Sequence, residues 1–182
     1  MGYIVLLFVV LFLCIYPYLR IFIKRIALVI AIKRACKEKG MKLIPMHKTW
    51  LLGSIKSCRS DFCVIGKNKV FRVKLASSIS PMCFYCFKDK NSYLFKSLRW
   101  TLLSHWMSKS YKLKSKRPFD FNIGTREELR KYKSVDILLF YPTPGGTFVL
   151  ENGTEREIWN GDFTGEALFY TKKGFIELLT KH

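Results

Sequence analysis

The sequence has 182 residues, of which 49% are hydrophobic and 25% are charged, which suits one ordinary domain and excludes an intrinsically disordered chain. Its formal net charge of +19 favours an anionic partner. The excess lies in one part of the chain: residues 20–117 hold 24 Lys and Arg against 3 acids (24 − 3 = +21), whereas residues 118–182 hold 8 against 10 (8 − 10 = −2).

The first predicted element is a membrane-spanning helix over residues 1–19. This segment has no charged side chain, and at about 1.5 Å per residue it would extend roughly 28 Å, close to the hydrocarbon thickness of a bilayer. Arg20, Lys24 and Arg25 follow it and no base precedes it, so the positive-inside rule predicts an external amino terminus and a cytoplasmic domain over residues 20–182. A cleaved signal peptide is the competing interpretation, but the basic start and small-residue cleavage site are missing.

Residues 20–40 form a second apolar stretch that is too short to cross the membrane again. We expect it to continue the membrane helix and to become the first core helix of the domain, with Gly40 as its terminator. An interfacial amphipathic helix is the alternative.

Basic side chains near the membrane and in a later loop are candidate sites for anionic lipid. They are Arg20, Lys24, Arg25, Lys33, Arg34, Lys112, Lys114, Lys116 and Arg117. An anionic leaflet attracts each such base by about 1 kcal/mol. Nucleic acid and an acidic protein are the alternative partners, and a surface that is merely solvated is the alternative to binding.

Strands dominate the chain after residue 40. Three β-rich runs, a hairpin and an aromatic helix are predicted in this order: residues 49–55, 61–66, 69–76, 83–96 and 98–110. A basic loop follows at residues 111–117. The second strand is expected to meet the third across a tight turn at residues 66–69.

The carboxyl-terminal part has stronger local signals. Thr125 and Glu128 form a capping box that predicts a helix through about residue 132. An apolar strand is predicted over residues 135–141, a hairpin around Asn152-Gly153, and a closing helix over residues 172–181. The predicted fold is therefore α/β, a mixed sheet flanked by helices, with the order helix, three-strand meander, helix and strand.

That order resembles the core of the PD-(D/E)XK nuclease-like superfamily, loosely over residues 24–141. In that family an Asp begins the second strand and an acid-x-Lys triplet lies on the third. The resemblance aligns Asp61 with the first acid and Lys74 with the lysine. It implies a membrane-tethered, metal-dependent nuclease in which two acids hold Mg²⁺ and the lysine stabilises developing charge.

The sequence departs from that family at the second acid, where it has Arg72. No acid lies between Asp61 and Asp89, and alternation places Arg72 on the same face as Lys74. We expect Arg72 to attract Asp61, because a single carboxylate beside two cations is a poor Mg²⁺ site. The sequence therefore favours a non-enzymatic binding or scaffold domain with no metal and no cofactor, a degenerate relative of the nucleases.

Four cysteines offer the number of thiolates that a structural zinc site needs: Cys58, Cys63, Cys83 and Cys86. Only the spacing of the last two is typical of zinc sites. Packing of reduced thiols is the alternative that the sequence favours, because free cysteines are among the most buried residue types.

Overall fold

A computed structural model describes residues 2–47, 50–52, 60–77, 84–88, 96–98, 112–113, 121, 126–143, 145–151, 154–164 and 167–181. Within these residues the protein is α/β, with two sheets, two α-helices and two short 3-10 turns.

Helix α1 spans Gly2–Glu38 without interruption, so the predicted anchor and residues 20–38 form one helix about 55 Å long, with Pro17 inside it. Within the described part of the chain, it is the one helix long and apolar enough to cross a membrane. The helix ends at Gly40, which has the left-handed φ of 65° that glycine adopts without strain. Its last carbonyls are satisfied by the Schellman pattern, in which the Met41 amide donates to the Cys36 carbonyl at 2.8 Å.

The remaining elements follow in chain order. They are β1 (Lys42–Pro45), a 3-10 turn (Trp50–Leu52), β2 (Phe62–Ile65), β3 (Lys69–Ala76), β4 (Phe84–Lys88), β5 (Lys96–Leu98), β6 (Lys112–Leu113), a 3-10 turn (Glu127–Leu129), β7 (Lys133–Phe140), β8 (Gly146–Glu151), β9 (Thr154–Glu157), β10 (Phe163–Thr164), β11 (Ala167–Thr171) and α2 (Lys172–Lys181).

The larger sheet has six strands in the order β1-β2-β3-β7-β11-β10. Strands β1, β2 and β3 form an antiparallel meander, and β7 then pairs in parallel with β3, and β11 in parallel with β7. The mixed α/β sheet expected from the sequence is therefore confirmed. The tight turn at residues 66–69 is also confirmed, because the Gly66 amide donates to the Lys69 carbonyl at 2.9 Å.

A second sheet of five strands has the order β6-β5-β4-β8-β9. The sequence predicted one sheet, and this part of the prediction is wrong. Both edges of β3 are occupied, by β2 and β7, so the strands that follow β3 in the chain cannot pair with it. They pair with one another, and β4 joins β8 in parallel.

Two further predictions differ from the structure. The first strand of the meander is Lys42–Pro45 rather than residues 49–55, where Trp50 begins a 3-10 turn and packs its ring 5.5 Å from that of Phe62. The predicted capping-box helix is only the turn Glu127–Leu129, whose N-cap is Arg126. The turn cannot continue as a helix on its carboxyl-terminal side, because only three residues separate Leu129 from the start of β7. The predicted helix at residues 98–110 lies outside the described residues, apart from Leu98, which ends β5.

The main core lies between the six-stranded sheet and the two helices. Its buried members are Leu28, Ile32, Ala35, Cys36, Phe62, Val64, Phe71, Val73, Leu75, Ile137, Leu139, Phe175 and Leu179. A second buried cluster lies on the opposite face of the sheet, where Leu138 and Phe140 of β7 meet Phe121 and Phe169. The first twenty residues of α1 contribute nothing to either cluster.

Candidate functional site

The residues singled out by the sequence lie on the face of the sheet that points away from α1 and α2. In the register of the sheet, Arg72 of β3 is opposite Cys63 of β2 on one side and Asp136 of β7 on the other. Lys74 follows two residues after Arg72 and therefore shares its face. Asp61 precedes β2, and its amide donates to the Val73 carbonyl at 2.8 Å, which places its side chain beside Lys74.

The Asp61 carboxylate is fully buried and is surrounded by donors. Its Oδ2 accepts a hydrogen bond from the Leu75 amide at 2.7 Å and lies 3.8 Å from the Lys74 ammonium. Its Oδ1 lies 3.0 Å from His47 Nε2, and the carboxylate can only accept there. Lys74 is also fully buried. Both oxygens of Asp61 are thus engaged by protein groups.

Burial raises the pKa of Asp61, and the positive charge of Lys74, the Leu75 amide and His47 oppose this rise. These three contacts compensate part of the cost of burial, because an isolated buried charge would be strongly disfavoured. Asp61 and Lys74 accordingly form a closed internal ion pair in which neither charge is accessible to solvent. Asp61 is therefore an ion-paired residue of the interior and not of the protein surface.

Arg25 connects α1 to the same end of β3. It is 5% exposed, its Nε donates to Ser77 Oγ at 2.9 Å, and its Nη1 donates to the Leu51 carbonyl at 2.9 Å. Burial lowers the pKa of Arg25, and the charge of Asp61 opposes this effect. Arg25 therefore does not belong with the exposed bases with which the sequence grouped it, since it lies three residues before Leu28 on the inward face of α1.

The second ion pair of this face joins Arg72 to Asp136. The Arg72 guanidinium binds both carboxylate oxygens, with Nη2 2.7 Å from Oδ2, and the two side chains are 24% and 17% exposed. The sequence predicted that Arg72 would attract Asp61, and this is wrong. Arg72 lies level with Asp136 on β7, whereas Asp61 lies level with Lys74, one pleat further along β3.

Asp136 is the carboxylate that the sequence analysis missed. It is separated from Arg72 by 64 residues, and nothing local signals which distant strand will lie beside β3. It does not complete a two-acid metal site with Asp61. The two acids belong to strands on either side of β3, about 10 Å apart, and each carboxylate is paired with a different cation. Across the described residues, no three His, Cys, Asp or Glu side chains are grouped to hold a metal ion.

The other predicted side chains are dispersed. Arg20, Lys33 and Arg34 are exposed on α1, and Lys24 is partly buried. Lys112 lies in β6, where only the backbone is described, and Lys114, Lys116 and Arg117 lie outside the described residues.

The predicted zinc ligands cannot be assembled from the described residues. Cys58 and Cys83 lie outside them, and Cys86 is described only as backbone in β4. Cys63 is buried in β2, where burial raises the pKa of its thiol to about 12 and disfavours the thiolate that a metal would require.

No family model, curated protein or solved structure matches this chain.

Proposed function

We propose that this chain is a membrane-tethered, non-catalytic domain with a degenerate nuclease-like core, and that the basic part of α1 binds anionic lipid. The observation that carries the proposal is the closed pairing of Asp61. Both of its oxygens are engaged by Lys74, His47 and the Leu75 amide in a fully buried position.

A catalytic metal would have to displace these partners. A divalent ion needs several oxygen ligands and offsetting negative charge, whereas the nearest side chains here are cationic or neutral. Arg72 occupies the position where the resemblance expects a second acid, and its charge is neutralised by Asp136. The polar residues of this face are better suited to holding three strands together than to binding a substrate phosphate.

Lipid binding is supported by where the exposed bases lie. Arg20, Lys33, Arg34 and Lys37 are exposed on the same helix that is apolar enough to cross a membrane. At about 1 kcal/mol each beside an anionic leaflet, four such bases would add a few kcal/mol to the hydrophobic anchor. The attraction would orient the domain on the membrane surface rather than only retain it there.

The proposed orientation places the amino terminus outside and the domain in the cytoplasm. It is supported by the bases that follow residue 19 and by the lack of charge within residues 1–19. In a eukaryotic membrane system the sequon at Asn152 should remain unglycosylated, and protease should digest the domain only after lysis. Digestion in intact cells would contradict this orientation.

Lysine footprinting in nanodiscs tests the lipid contact on the full chain. An acylating reagent should modify Lys33 and Lys37 at least about threefold more slowly in phosphatidylglycerol than in phosphatidylcholine, and high salt should remove the difference. The matched internal controls are Lys131 and Lys133, which are exposed near the start of β7. Equal protection in both lipids, or stronger protection by added nucleic acid, would contradict the proposal.

A further inference from the structure

The outward face of α1 remains apolar for several turns beyond the predicted anchor. Phe22, Ile23, Ile26 and Ile30 are 36%, 57%, 38% and 59% exposed, respectively. The core does not need them, because its contacts with α1 come from the opposite face, at Leu28 and Ile32. The core-helix and interfacial-helix interpretations of residues 20–40 thus describe two faces of one helix.

This apolar face is too long for a helix that stands upright in a bilayer. From Tyr3 to Ile30 it extends about 40 Å, whereas the hydrocarbon core is about 30 Å thick. Residues 1–19 already cross that thickness, so the continuing apolar face over residues 22–30 must lie at the membrane surface, which a tilted helix allows. Arg20 is exposed on the side of α1 next to the stripe, and its long side chain can extend to the headgroups. The tilt lays residues 22–30 against the membrane.

A groove runs between α1 and α2 along the edge of this stripe. One part has a volume of about 600 Å³ and is lined by Ala31, Tyr141, Thr143, Thr171, Lys172, Lys173, Ile176 and Glu177. An adjoining part of about 290 Å³ is lined by Ala27, Ile30, Ala31, Arg34, Ala35, Glu38, Ile176 and Thr180. The two parts share Ala31 and Ile176, and Ile30 belongs both to the groove and to the stripe.

The wider part of the groove opens at the membrane-facing edge of the domain. Arg25, in the turns of α1 nearest the membrane, binds Ser77 just after β3, so the carboxyl end of β3 faces the membrane. Strands β7 and β11 are parallel with β3 and end at the same edge. Lys172 and Lys173 follow β11 directly, and Lys172 lies 5.2 Å from the ring of Tyr141.

We propose that this groove binds one anionic phospholipid, which extends the proposed lipid-binding function to a defined site and rests on it. Lys172 and Lys173 hold the phosphate, and an acyl chain lies along Ala31 and Ile176. Two lysines against Glu177 leave the wider part positive, and its walls are largely apolar, which matches a phosphate followed by a hydrocarbon chain. The lipid enters along the exposed stripe of α1 without leaving the membrane.

Native mass spectrometry of the full-length protein in detergent tests this site. Added phosphatidylglycerol should give a single tightly bound lipid, and Lys172→Ala with Lys173→Ala should weaken its binding about tenfold or more. Ala31→Trp, which fills the groove without changing charge, should also weaken it. The matched control, Lys131→Ala with Lys133→Ala, removes the same charge elsewhere and should leave the affinity unchanged.

Three results would overturn the site: an unchanged affinity in the Lys172/Lys173 variant, equal binding of phosphatidylcholine, or displacement of the lipid by inorganic phosphate alone. The footprinting of Lys33 and Lys37 shows whether only the groove site is wrong or whether the proposed binding of anionic lipid is wrong as a whole. If that footprint persists in phosphatidylglycerol while the groove variants bind lipid normally, only the groove is wrong. If the footprint is absent from the native protein, the lipid-binding function itself is wrong.

Discussion

Two ion pairs lie two residues apart along the same face of β3, and they differ in their access to water. Asp61 and Lys74 are fully buried, whereas Arg72 and Asp136 are 24% and 17% exposed. Removing one partner of a buried pair leaves a charge without water, whereas a partly exposed charge can still be solvated. The buried pair should therefore determine the stability of the domain, and the exposed pair should modulate it.

The largest expected effect is that of Asp61→Ala. It strands the Lys74 ammonium in a fully buried position, and the free energy of unfolding should fall by about 3–5 kcal/mol. Chemical unfolding in detergent measures this loss. The control is Glu127→Ala, which removes a highly exposed partner of Arg130 and should change stability by less than about 0.5 kcal/mol.

Replacing both members of the buried pair sharpens the interpretation. Asp61→Leu with Lys74→Met removes the two charges together and should recover most of the stability that Asp61→Ala loses. If the double variant is as unstable as the single one, shape rather than charge explains the effect. If Asp61→Ala costs less than about 1 kcal/mol, the pair is not closed as described.

The pH dependence of stability distinguishes the buried carboxyl from an ordinary one. Burial raises the pKa of Asp61 in the folded state above its unfolded value of about 4. At a pH between these two pKa values, the folded protein binds more protons at Asp61 than the unfolded chain does. Its stability must then fall as pH rises through this window. The stability of the native protein relative to Asp61→Asn should accordingly decrease as pH rises above the unfolded value of about 4. A relative increase would mean that Lys74 instead depresses the pKa.

Arg72→Ala should have a smaller effect than any change to the buried pair. The Arg72–Asp136 pair has bidentate geometry, but its partial exposure lets water replace the lost contact, so the expected loss is about 1 kcal/mol. The same unfolding measurement checks it. If Arg72→Ala lowers the free energy of unfolding as much as Asp61→Ala does, the two ion pairs do not differ in their contribution to stability.

The elements that the sequence predicted correctly are those whose residue pattern is local. The bounds of β3 and α2 follow from an alternating run and a terminal amphipathic segment, and the β2–β3 turn from Gly66. Strand β1 was missed because it is only four residues long and ends in Pro45, which an edge strand tolerates. The position of Asp61 beside Lys74 could have been predicted from the register of the β2–β3 hairpin, because the sequence already placed the two residues on adjacent strands.

The Arg72–Asp136 pair and the second sheet could not be predicted in the same way. Both depend on parallel pairing between strands far apart in the chain, β3 with β7 and β4 with β8. A parallel connection leaves no turn signal at the junction that would fix the register. The inward position of Arg25 was missed for a different reason, since a base next to a membrane anchor has the same sequence pattern whether it faces lipid or core.

Whether Asp61 is catalytic is measured by assaying metal-dependent cleavage of nucleic acid by the full-length protein and by its Asp61→Asn and Arg72→Glu variants. Arg72→Glu restores the triplet of the nuclease family as Glu-Val-Lys and is the informative comparison. We expect the native protein to cleave neither DNA nor RNA in Mg²⁺ or Mn²⁺, because Asp61 is already engaged by protein donors. Reproducible cleavage by the native protein, abolished by a chelator and by a folded Asp61→Asn variant, would contradict this expectation.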